Sequence, residues 1–408
     1  MTVDTIVVGG GAAGLMAAGT AAESGQRVLL LEQNRSFGRK LRITGKGRCN
    51  VTNRCEPEKV IENTPGNGRF LYGAVHSFTP EDTIALMESL GVPLKTERGN
   101  RVFPASEKAD DIADALVRRM KRHHVETVHA KVSALLTQGG KISGVRTTGG
   151  LYQAKKVIAA CGGASYPGTG SDGNGYRLAK NLGHRITPII PSLVPLTEAG
   201  DLCGKLQGLS LRNCAVSVQD EKSGKIIYRD FGELLFTHFG LSGPTILSAS
   251  AHMREIAEKR YTVLIDLKPA LDEKKLDSRL LHDLEENKNH ILGNSLGKLL
   301  PKSLIPVIIE KANIKPDTKC NSVTKEERRR LCQTLKGLAI FIGGFRPIQE
   351  AIVTSGGVDT REINPRNMES KLVSGLHFAG EMIDVDAYTG GFNLQIAFST
   401  AVAAARIK

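Results

Sequence analysis

The residues best suited to chemistry in this 408-residue sequence are a cysteine and its basic neighbours. Cys49 lies in the segment TGKGRCNVTN, and the stretch 35–54 around it contains seven Lys or Arg and no Asp or Glu. Neighbouring cations lower the pKa of a thiol, so Lys46 and Arg48 make Cys49 a candidate proton donor. The alternative interpretation is that Cys49 is a small packing residue.

The positive charge of this loop exceeds what two phosphate groups require. The surplus is either solvated surface or a set of contacts to a polyanionic substrate. Further basic runs occur at Arg118, Arg119, Lys121, Arg122 and 328–330. Each run alone is typical of a solvated helix face, but together they form a plausible footprint for the phosphates of a nucleic acid.

Regular elements surround a glycine-rich turn at the start of the chain. The β-branched run 4–8 predicts a buried strand, and the Ala-rich stretch 15–24 predicts a helix that ends at Gly25. The apolar run 27–31 predicts a second strand. This order of elements is that of a βαβ unit.

The glycines of this unit have the spacing G-x-G-x-x-G at Gly9, Gly11 and Gly14, and the second strand ends at Glu32. The first glycine permits the tight turn, the second lets a pyrophosphate approach the backbone, and the third lets the helix pack on the strand. Glu32 can accept hydrogen bonds from ribose hydroxyls. Glycines, elements and acid in register predict a dinucleotide site, either FAD or NAD, rather than a merely structural turn.

A second pattern near the C-terminus favours FAD. An apolar strand at 376–379 is followed by Gly380 and Glu381, and Gly390–391 then open an Ala-rich helix. This order resembles the C-terminal flavin-binding segment of flavoproteins with the two-dinucleotide-binding fold. The resemblance implies that Glu381 lies by the ribityl-pyrophosphate and that the helix N-terminus points at the flavin N1/C2=O edge, where it would stabilise reduced flavin. The alternative is a structural closing helix.

A third glycine-rich segment lies between the first two. A predicted strand at 155–160 runs into CGGASYPGTGSDGNGY, and flavoproteins of this type return to the cofactor at such a point. The TSGGV segment, 354–358, is a further candidate for lining the flavin ring. No second strand–GxGxxG–helix unit occurs in the sequence, so we expect no dedicated nicotinamide domain.

Four longer segments make the resemblance specific: GRKLRITGKGRCNVTN, FGELLFTHFGLSGP, VTSGGVDTREINPRNMESK and FAGEMIDVDAYTGGFNLQIAFSTA. They resemble the bacterial BaiN/RdsA-type family of NAD(P)/FAD-dependent oxidoreductases, and the resemblance covers essentially the whole chain. It implies an FAD protein with an inserted barrel and a helical lid. The activities within that family differ: amine oxidation, steroid-type reduction and dihydrouridine formation in large-subunit ribosomal RNA.

The motifs and the resemblance together imply a set of contacts to FAD. The predicted cofactor-binding residues are Gly9, Gly11, Ala12, Ala13, Gly14, Glu32, Gln33, Gly38, Arg39, Lys40, Thr44, Gly45, Gly47, Arg48, Cys49, Asn50, Val132, Cys161, Gly162, Gly163, Gly380, Glu381, Gly390, Gly391, Phe392, Asn393 and Leu394.

The predicted catalytic residues are Cys49, Arg48 and His238. His238, in FTHFGLSGP, is the candidate acid or base on the substrate side, and the alternative is a loop residue without a chemical role. The sequence therefore predicts an FAD enzyme that takes hydride from NADH or NADPH and passes it to a substrate. A uridine in large-subunit ribosomal RNA is favoured, a small amine or enone comes next, and a non-catalytic flavin- or RNA-binding protein is the other class.

Composition narrows the setting of this activity. The hydrophobic fraction of 40% is typical of a globular protein. The net charge of +13 and the pI near 9.4 are compatible with binding to nucleic acid or to an anionic surface, or with solubility alone. No apolar run could span a bilayer, and no secretory signal opens the chain. Seven cysteines without a CxxC pair predict reduced thiols in the cytoplasm and no metal site. No pattern indicates a membrane partner or a particular oligomeric state.

The predicted fold class is α/β, with a discontinuous Rossmann-like FAD-binding domain, an inserted β-rich, barrel-like domain and a helical module. The predicted boundaries are 1–190 for the first part of the FAD-binding domain, 191–270 for the β-rich substrate domain and 271–337 for the helical module. Residues 338–408 return to the edge of the substrate domain and then to the FAD-binding domain.

Shorter patterns predict the elements of the inserted part. Alternation around a Lys-Ser-Gly turn predicts a hairpin from 215–218 and 225–228, and the apolar runs 233–236 and 261–267 predict further strands. Leucines four residues apart and a capping box at 324–327 predict helices in the module.

Overall fold

The computed structural model describes residues 2–255 and 259–406. The chain divides into two compact units: Met1–Ser192 with Pro347–Lys408, and Leu193–Arg346. The predicted fold class is confirmed, because the first unit contains a Rossmann-like sheet and the second a closed antiparallel barrel with helices. The barrel strands and the helices of the predicted module lie in one unit, and the finer division between them stays a prediction.

The strands are, in chain order, β1 (Thr2–Val8), β2 (Val28–Glu32), β3 (Thr52–Asn53), β4 (Leu94–Glu97), β5 (Arg101–Pro104), β6 (Glu126–His129), β7 (Val132–Gln138), β8 (Lys141–Thr147), β9 (Gly150–Ala159), β10 (Ile190–Ser192), β11 (Leu196–Glu198), β12 (Ser210–Asp220), β13 (Lys225–Thr237), β14 (Gly240–Ser242), β15 (Tyr261–Asp266), β16 (Leu338–Phe345), β17 (Val353–Ser355) and β18 (Leu376–Phe378).

The helices are α1 (Ala12–Glu23), α2 (Arg39–Ile43), α3 (Pro57–Glu62), α4 (Tyr72–Ser77), α5 (Pro80–Ser89), α6 (Ala109–Arg122), α7 (Asn174–Lys180), α8 (Leu202–Lys205), α9 (Pro244–Ser250), α10 (Glu273–Glu286), α11 (Leu292–Ser295), α12 (Leu304–Lys311), α13 (Lys325–Lys336) and α14 (Phe392–Ala405).

The main sheet of the first unit has the strand order β6-β2-β1-β9-β8-β7, with β18 also paired to β9. Strands β6, β2, β1, β9 and β18 are parallel, and β7 to β9 form an antiparallel meander. Every residue of β2 is buried, as expected of a parallel strand covered on both faces. The carboxyl ends of β1, β2 and β18 therefore meet at one edge, which is where such sheets bind ligands.

Two small sheets accompany this main sheet. The strands β3, β5 and β4 form an antiparallel three-stranded sheet, and β10 pairs with β17. Thr79 and Asp82 form a capping box at the start of α5. Helix α6 carries the basic run of Arg118, Arg119, Lys121 and Arg122 in its second half.

The second unit is built on the closed barrel β11-β14-β13-β12-β15-β16. The predicted hairpin is confirmed as β12 paired with β13, and the stretch 233–236 is the second half of β13 rather than a separate strand. The capping box at Thr324 and Glu327 opens α13 as predicted. Leu276, Leu280 and Leu284 on α10 belong to the same hydrophobic core as the barrel residues.

None of the helices in the described part of the chain combines the length and the apolar character that a bilayer crossing requires. Within residues 2–255 and 259–406, no group of three or more His, Cys, Asp or Glu side chains is arranged to hold a metal ion.

Candidate active site

The glycine-rich turn between β1 and α1 leaves space beside one glycine only. A Cβ added to Gly9, whose φ is +103°, would lie 2.5 Å from the carbonyl oxygen of Ala160. A Cβ at Gly14 would overlap the carbonyl oxygen of Gly9, so this glycine is needed for helix α1 to pack. A Cβ at Gly11 would meet nothing within 4 Å. The turn thus has open space beside Gly11 and none beside Gly9 or Gly14.

Gly11 is also the N-cap residue of α1, and no side chain caps this helix end. The first N–H groups of the helix, at Ala12 and Ala13, have no partner within the helix. Together with the helix dipole they favour an anion at this position. The space beside Gly11 and the free N–H groups fit a pyrophosphate.

Glu32 lies at the end of β2, directly beside the turn, and is 7% exposed. Its carboxylate accepts the N–H of Gly10 at 2.6 Å, and its other oxygen accepts the backbone and side-chain N–H groups of Asn34 at 2.7 and 2.6 Å. The acid therefore links the glycine turn to the residues after β2. Its predicted contact with ribose stays a prediction.

The glycine-rich loop after β9 closes over the same edge of the sheet. Gln33 donates its side-chain amide to the carbonyl of Gly170 at 2.9 Å, and Asn174 donates to the carbonyl of Val132 at 3.1 Å. Gly162 has a φ of +75°. The thiol of Cys161 lies 3.7 Å from the carbonyl of Val8, and burial raises its pKa to about 12. The predicted residues Gln33, Val132, Cys161 and Gly162 are thus brought to one edge.

An ion pair connects the N-terminal and C-terminal parts of this unit. Lys40 donates to Glu381 at 2.8 Å and to the hydroxyl of Ser165 at 2.7 Å, and Glu381 also accepts the N–H of Thr354 at 2.7 Å. A Cβ at Gly163 would lie 2.8 Å from Glu381, so only glycine fits there. Burial raises the pKa of Glu381. The positive charge of Lys40 and the hydrogen bonds from Lys40, Thr354 and Ser165 together outweigh burial, so the pKa of Glu381 is lowered.

The C-terminal segment also contacts the start of α1. Gly380 has a φ of +67°, and a Cβ there would lie 2.9 Å from the Cβ of Ala13. The N–H of Gly380 donates to the hydroxyl of Thr400 at 3.0 Å. The glycine turn, the loop after β9 and the segment around Gly380 therefore meet at one place, as the motifs predicted.

The start of α14 packs against the segment that follows the basic loop. A Cβ at Gly391 would overlap the backbone of Thr52. The side chain of Asn53 donates to the carbonyl of Gly390 at 3.0 Å, and the Asn50 amide, with its oxygen facing Gly391, accepts that N–H at 3.0 Å. Predicted site residues from the two ends of the chain are therefore adjacent here.

The first turn of α14 contains Phe392, Asn393 and Leu394. Phe392 is buried. The side chain of Asn393 is engaged with the preceding loop, since it accepts the N–H of Ala387 at 2.9 Å and donates to the carbonyl of Ala387 at 2.7 Å. Asn393 thus positions the loop that leads into the helix, and its predicted contact with FAD would be through its backbone N–H.

The basic loop begins with α2, whose N-cap Gly38 has a φ of +69°. Arg39 donates to the side chain of Asn34 at 2.8 Å, and Thr44 donates to the carbonyl of Leu41 at 2.6 Å. A tight turn follows, in which Gly45 and Gly47 have φ values of +57° and +85°.

Cys49 does not have the acidified thiol that the sequence predicted. Its side chain is fully buried in the hydrophobic core, and its φ of +57° is unusual for a residue other than glycine. Burial raises the pKa of the thiol to about 12, and a hydrogen bond with Thr44 offsets only part of this effect. The expected lowering by Lys46 and Arg48 is wrong, because burial is the largest effect on this thiol and neither cation contributes to its shift.

The charge of Arg48 is neutralised by acids that come from other parts of the chain. Its guanidinium donates to Glu97 at 2.6 Å and pairs with Glu107, and it lies 4.2 Å from the centroid of the Phe103 ring. The stretch 35–54 contains neither acid, because Glu97 lies 49 and Glu107 lies 59 residues after Arg48 in the sequence. Arg48 therefore cannot be counted as a free cation.

Other cations of the sequence footprint are paired in the same way. Ion pairs with an N–O distance of 3.7 Å or less join Lys40 to Glu381, Arg42 to Asp110 and Asp114, Arg54 to Glu81, Arg328 to Asp277 and Arg329 to Glu326. Arg119 is 4% exposed and pairs with Glu23 at 2.6 Å, so it is a core residue that links α6 to α1 and cannot contact RNA.

His238 belongs to the second unit, whereas Cys49 and Arg48 belong to the first. It is exposed in the turn between β13 and β14, and its ring packs edge-on against Phe239 with the centroids 5.0 Å apart. Its predicted role stays a prediction.

Sequence reasoning missed several residues that hold this site together. Ser165 accepts a hydrogen bond from Lys40, and the side chain of Asn34 donates one to Glu32. The hydroxyl of Tyr176 donates to the carbonyl of Glu381 at 3.1 Å. Ser165 and Tyr176 lie in the glycine-rich segment CGGASYPGTGSDGNGY, which was the available signal.

A parallel sheet with a glycine cradle, an acid at the end of β2 and a returning C-terminal glycine segment is the architecture of an FAD-binding Rossmann-like protein. The comparisons agree with this class. A family model described as "HI0933-like protein Rossmann domain" matches residues 3–407, and the chain belongs to that family. It is an FAD-dependent oxidoreductase.

Two curated relatives match almost over their full length. The ribosomal RNA dihydrouridine synthase of Escherichia coli is 32% identical over 405 residues, which cover 99% of this chain and 97% of that protein. The 3-dehydro-bile acid delta(4,6)-reductase of Clostridium scindens is 29% identical over 404 residues, with coverages of 98% and 97%. The fold is similar to 3-ketosteroid-delta4-(5alpha)-dehydrogenase from Rhodococcus jostii, with a TM-score of 0.52 at 15% identity and coverages of 100% and 97%.

Proposed function

We propose that this protein is a reductase with bound FAD that uses NADH or NADPH to form dihydrouridine in large-subunit ribosomal RNA. The observation that carries this substrate is the match to the E. coli ribosomal RNA dihydrouridine synthase over 99% of the chain. The net charge of +13 agrees with a polyanionic substrate, although the structure pairs many of the cations internally. The proposed setting is the cytoplasm, where ribosomal RNA is available.

The proposed cofactor contacts follow the geometry of the first unit. The pyrophosphate of FAD would lie beside Gly11 and the first N–H groups of α1, where a Cβ meets no other atom. Glu32 would hold the adenosine ribose, and Lys40 would hold a phosphate oxygen while paired with Glu381. The N–H groups that follow Gly391 would face the flavin ring. These residues fit FAD because anionic groups of the cofactor meet N–H groups and a cation.

Bound FAD would supply the redox chemistry by accepting two electrons from NADH or NADPH and passing hydride to the substrate. Reduction of the uracil 5,6 double bond needs hydride at C6 and a proton at C5. A thiol whose pKa is near 12 stays protonated at neutral pH, so Cys49 could release a proton only to a strongly basic carbon. The N-terminal end of α14, with its partial positive charge, would stabilise the negative charge that develops on reduction.

The base must leave its stack to reach such a site. Nucleobases inside a helix are covered on both faces, and enzymes that act on them work on single-stranded or flipped-out nucleotides. We therefore expect unfolded or immature ribosomal RNA to be a better substrate than the finished ribosome.

A small enone is the second candidate substrate. The observation that favours it is the match to the 3-dehydro-bile acid delta(4,6)-reductase over 98% of the chain. Both reactions would saturate a carbon–carbon double bond conjugated to a carbonyl group, so one site chemistry serves either. A small amine is a weaker candidate. The non-catalytic flavin- or RNA-binding class does not agree with the relatives, which are named as enzymes.

Anaerobic reoxidation separates these candidates. The purified protein would be reduced with NADH or NADPH, and the flavin absorbance would be followed after adding unmodified ribosomal RNA, a steroid enone or an amine. The proposal predicts reoxidation by the RNA with one dihydrouridine formed per flavin oxidised. If the steroid enone reoxidises the flavin and the RNA does not, the second candidate, a small enone, becomes the proposed substrate.

A further inference from the structure

The hairpin formed by β4 and β5 is linked to the start of α14 through the side chain of Asn53. The side chain of Asn53 donates to the carbonyl of Gly99 in the hairpin turn at 3.0 Å and to the carbonyl of Gly390 at 3.0 Å. The N–H of Arg54 donates to the carbonyl of Asn100 at 2.7 Å, which continues the pairing of β3 with β5. The hairpin turn and the proposed flavin end of the site are therefore separated by the length of one asparagine amide and its two hydrogen bonds.

Three cations around this hairpin have no carboxylate partner among the described residues: Lys46, Arg98 and Arg101. All three are exposed. Arg101 donates to the carbonyl of Arg98 at 3.1 Å, and its guanidinium carbon lies 5.9 Å from the centroid of the Phe103 ring. The turn that contains Lys46 packs on the same ring, since a Cβ at Gly45 would lie 3.8 Å from it. Lys46, Arg98 and Arg101 therefore lie around one hairpin and one aromatic ring, and these three residues are here termed the hairpin edge.

The hairpin edge differs from the other basic residues of this region in its charge balance. Arg48, which also contacts the Phe103 ring, is neutralised by Glu97 and Glu107, and Lys95 pairs with the same two acids. Glu97 of the hairpin and Glu107, which follows it, are thus already engaged. The three cations of the hairpin edge keep their charge available for an external anion.

We propose that the hairpin edge binds the phosphate backbone of the RNA next to the target nucleotide. This inference rests on the proposed function and names the surface that selects RNA over a small substrate. Exposed cations that contact phosphates position a nucleic acid without reading its sequence. Their place beside the start of α14 would let them hold the flanking phosphates while the target base enters the site.

The test compares two variants with the same change in net charge. The first is Arg98→Glu with Arg101→Glu, and the control is Lys141→Glu with Arg146→Glu on β8, where both side chains are also exposed. RNA binding is measured by fluorescence anisotropy with a single-stranded ribosomal RNA fragment at several salt concentrations. Dihydrouridine formation in the same RNA, the FAD content and the rate of reduction by NADPH are measured in parallel.

The inference predicts that the hairpin variant binds the RNA at least about tenfold more weakly than the control variant. Its salt dependence should fall by about 0.7 in log–log slope for each lost phosphate contact, hence by about 1.4. FAD content and reduction by NADPH should match the wild-type protein. Equal RNA binding by the two variants would overturn the inference. If the wild-type protein binds the RNA tightly but forms no dihydrouridine in it, the proposed function is overturned, while the hairpin edge remains an RNA-binding surface.

Discussion

The two glycines at the start of α1 offer a sharp test of the proposed cofactor site, because the structure assigns them opposite roles. A methyl group at Gly11 meets nothing within 4 Å, whereas one at Gly14 overlaps the carbonyl oxygen of Gly9. Gly11 has a φ of −82° and an extended conformation that alanine adopts without strain. The same substitution should therefore affect cofactor binding at one position and folding at the other.

The expected magnitudes follow from these surroundings. Gly11→Ala should leave the FAD-free protein as stable as the wild type, or more stable by about 0.4–1 kcal/mol. Its methyl group would displace the pyrophosphate from the N–H groups of α1. Loss of one charge-assisted hydrogen bond, about 1.5–3 kcal/mol, weakens FAD binding by about 10- to 150-fold. Gly14→Ala should destabilise the FAD-free protein by about 1–3 kcal/mol through overpacking against the backbone.

The assay combines urea unfolding of the FAD-free proteins, followed by circular dichroism, with FAD titration followed by flavin fluorescence. Wild-type affinity for FAD in Gly11→Ala would refute the pyrophosphate position. Wild-type stability in Gly14→Ala would refute the packing argument, whatever happens to cofactor binding.

Three further predictions concern other parts of the site. Glu32→Ala should weaken FAD by about 1.5–3 kcal/mol without changing FMN affinity, since FMN lacks the adenosine ribose; an equal loss for both in parallel titrations contradicts that role. Burial raises the pKa of Cys49 from 9.0 to about 12, so its stabilising contribution is complete below pH 9 and is lost as the pH rises towards 12. In Cys49→Ala, unfolding measured against pH should show a smaller loss of stability at alkaline pH, and the protein should still bind FAD. If the thiol donates the proton, turnover should also fall by about 10²–10⁴. Arg119→Glu should unfold at markedly lower urea than Arg118→Glu, because Arg119 is buried against Glu23 and Arg118 is exposed.

Local patterns predicted the parts of the fold that depend on neighbouring residues. The βαβ unit, the hairpin of β12 and β13 and the capping box at Thr324 each have their signal within a few residues, and each is present. The closed barrel also contains β11, β14 and β16, which are short or far apart in the chain. A strand of three residues gives no periodic signal, so the sequence could not predict the order of the barrel.

In the candidate site, too, local sequence patterns predicted only what depends on neighbouring residues. The glycines at 9, 11 and 14 were predictable because their spacing expresses a geometric requirement of one turn. The charge of the basic loop was misjudged because the balancing acids, such as Glu97, Glu107 and Asp110, come from later elements. The burial of Cys49 depends on side chains from many segments, so its raised pKa could not be inferred from its basic neighbours.

The measurement that tests the proposed function most directly is mass spectrometry of dihydrouridine in large-subunit ribosomal RNA from a strain that lacks this protein. The proposed function predicts that one dihydrouridine disappears in the deletion strain, returns with the wild-type gene, and does not return with a Gly11→Ala variant impaired in FAD binding. Unchanged dihydrouridine in the deletion strain would contradict ribosomal RNA as the substrate.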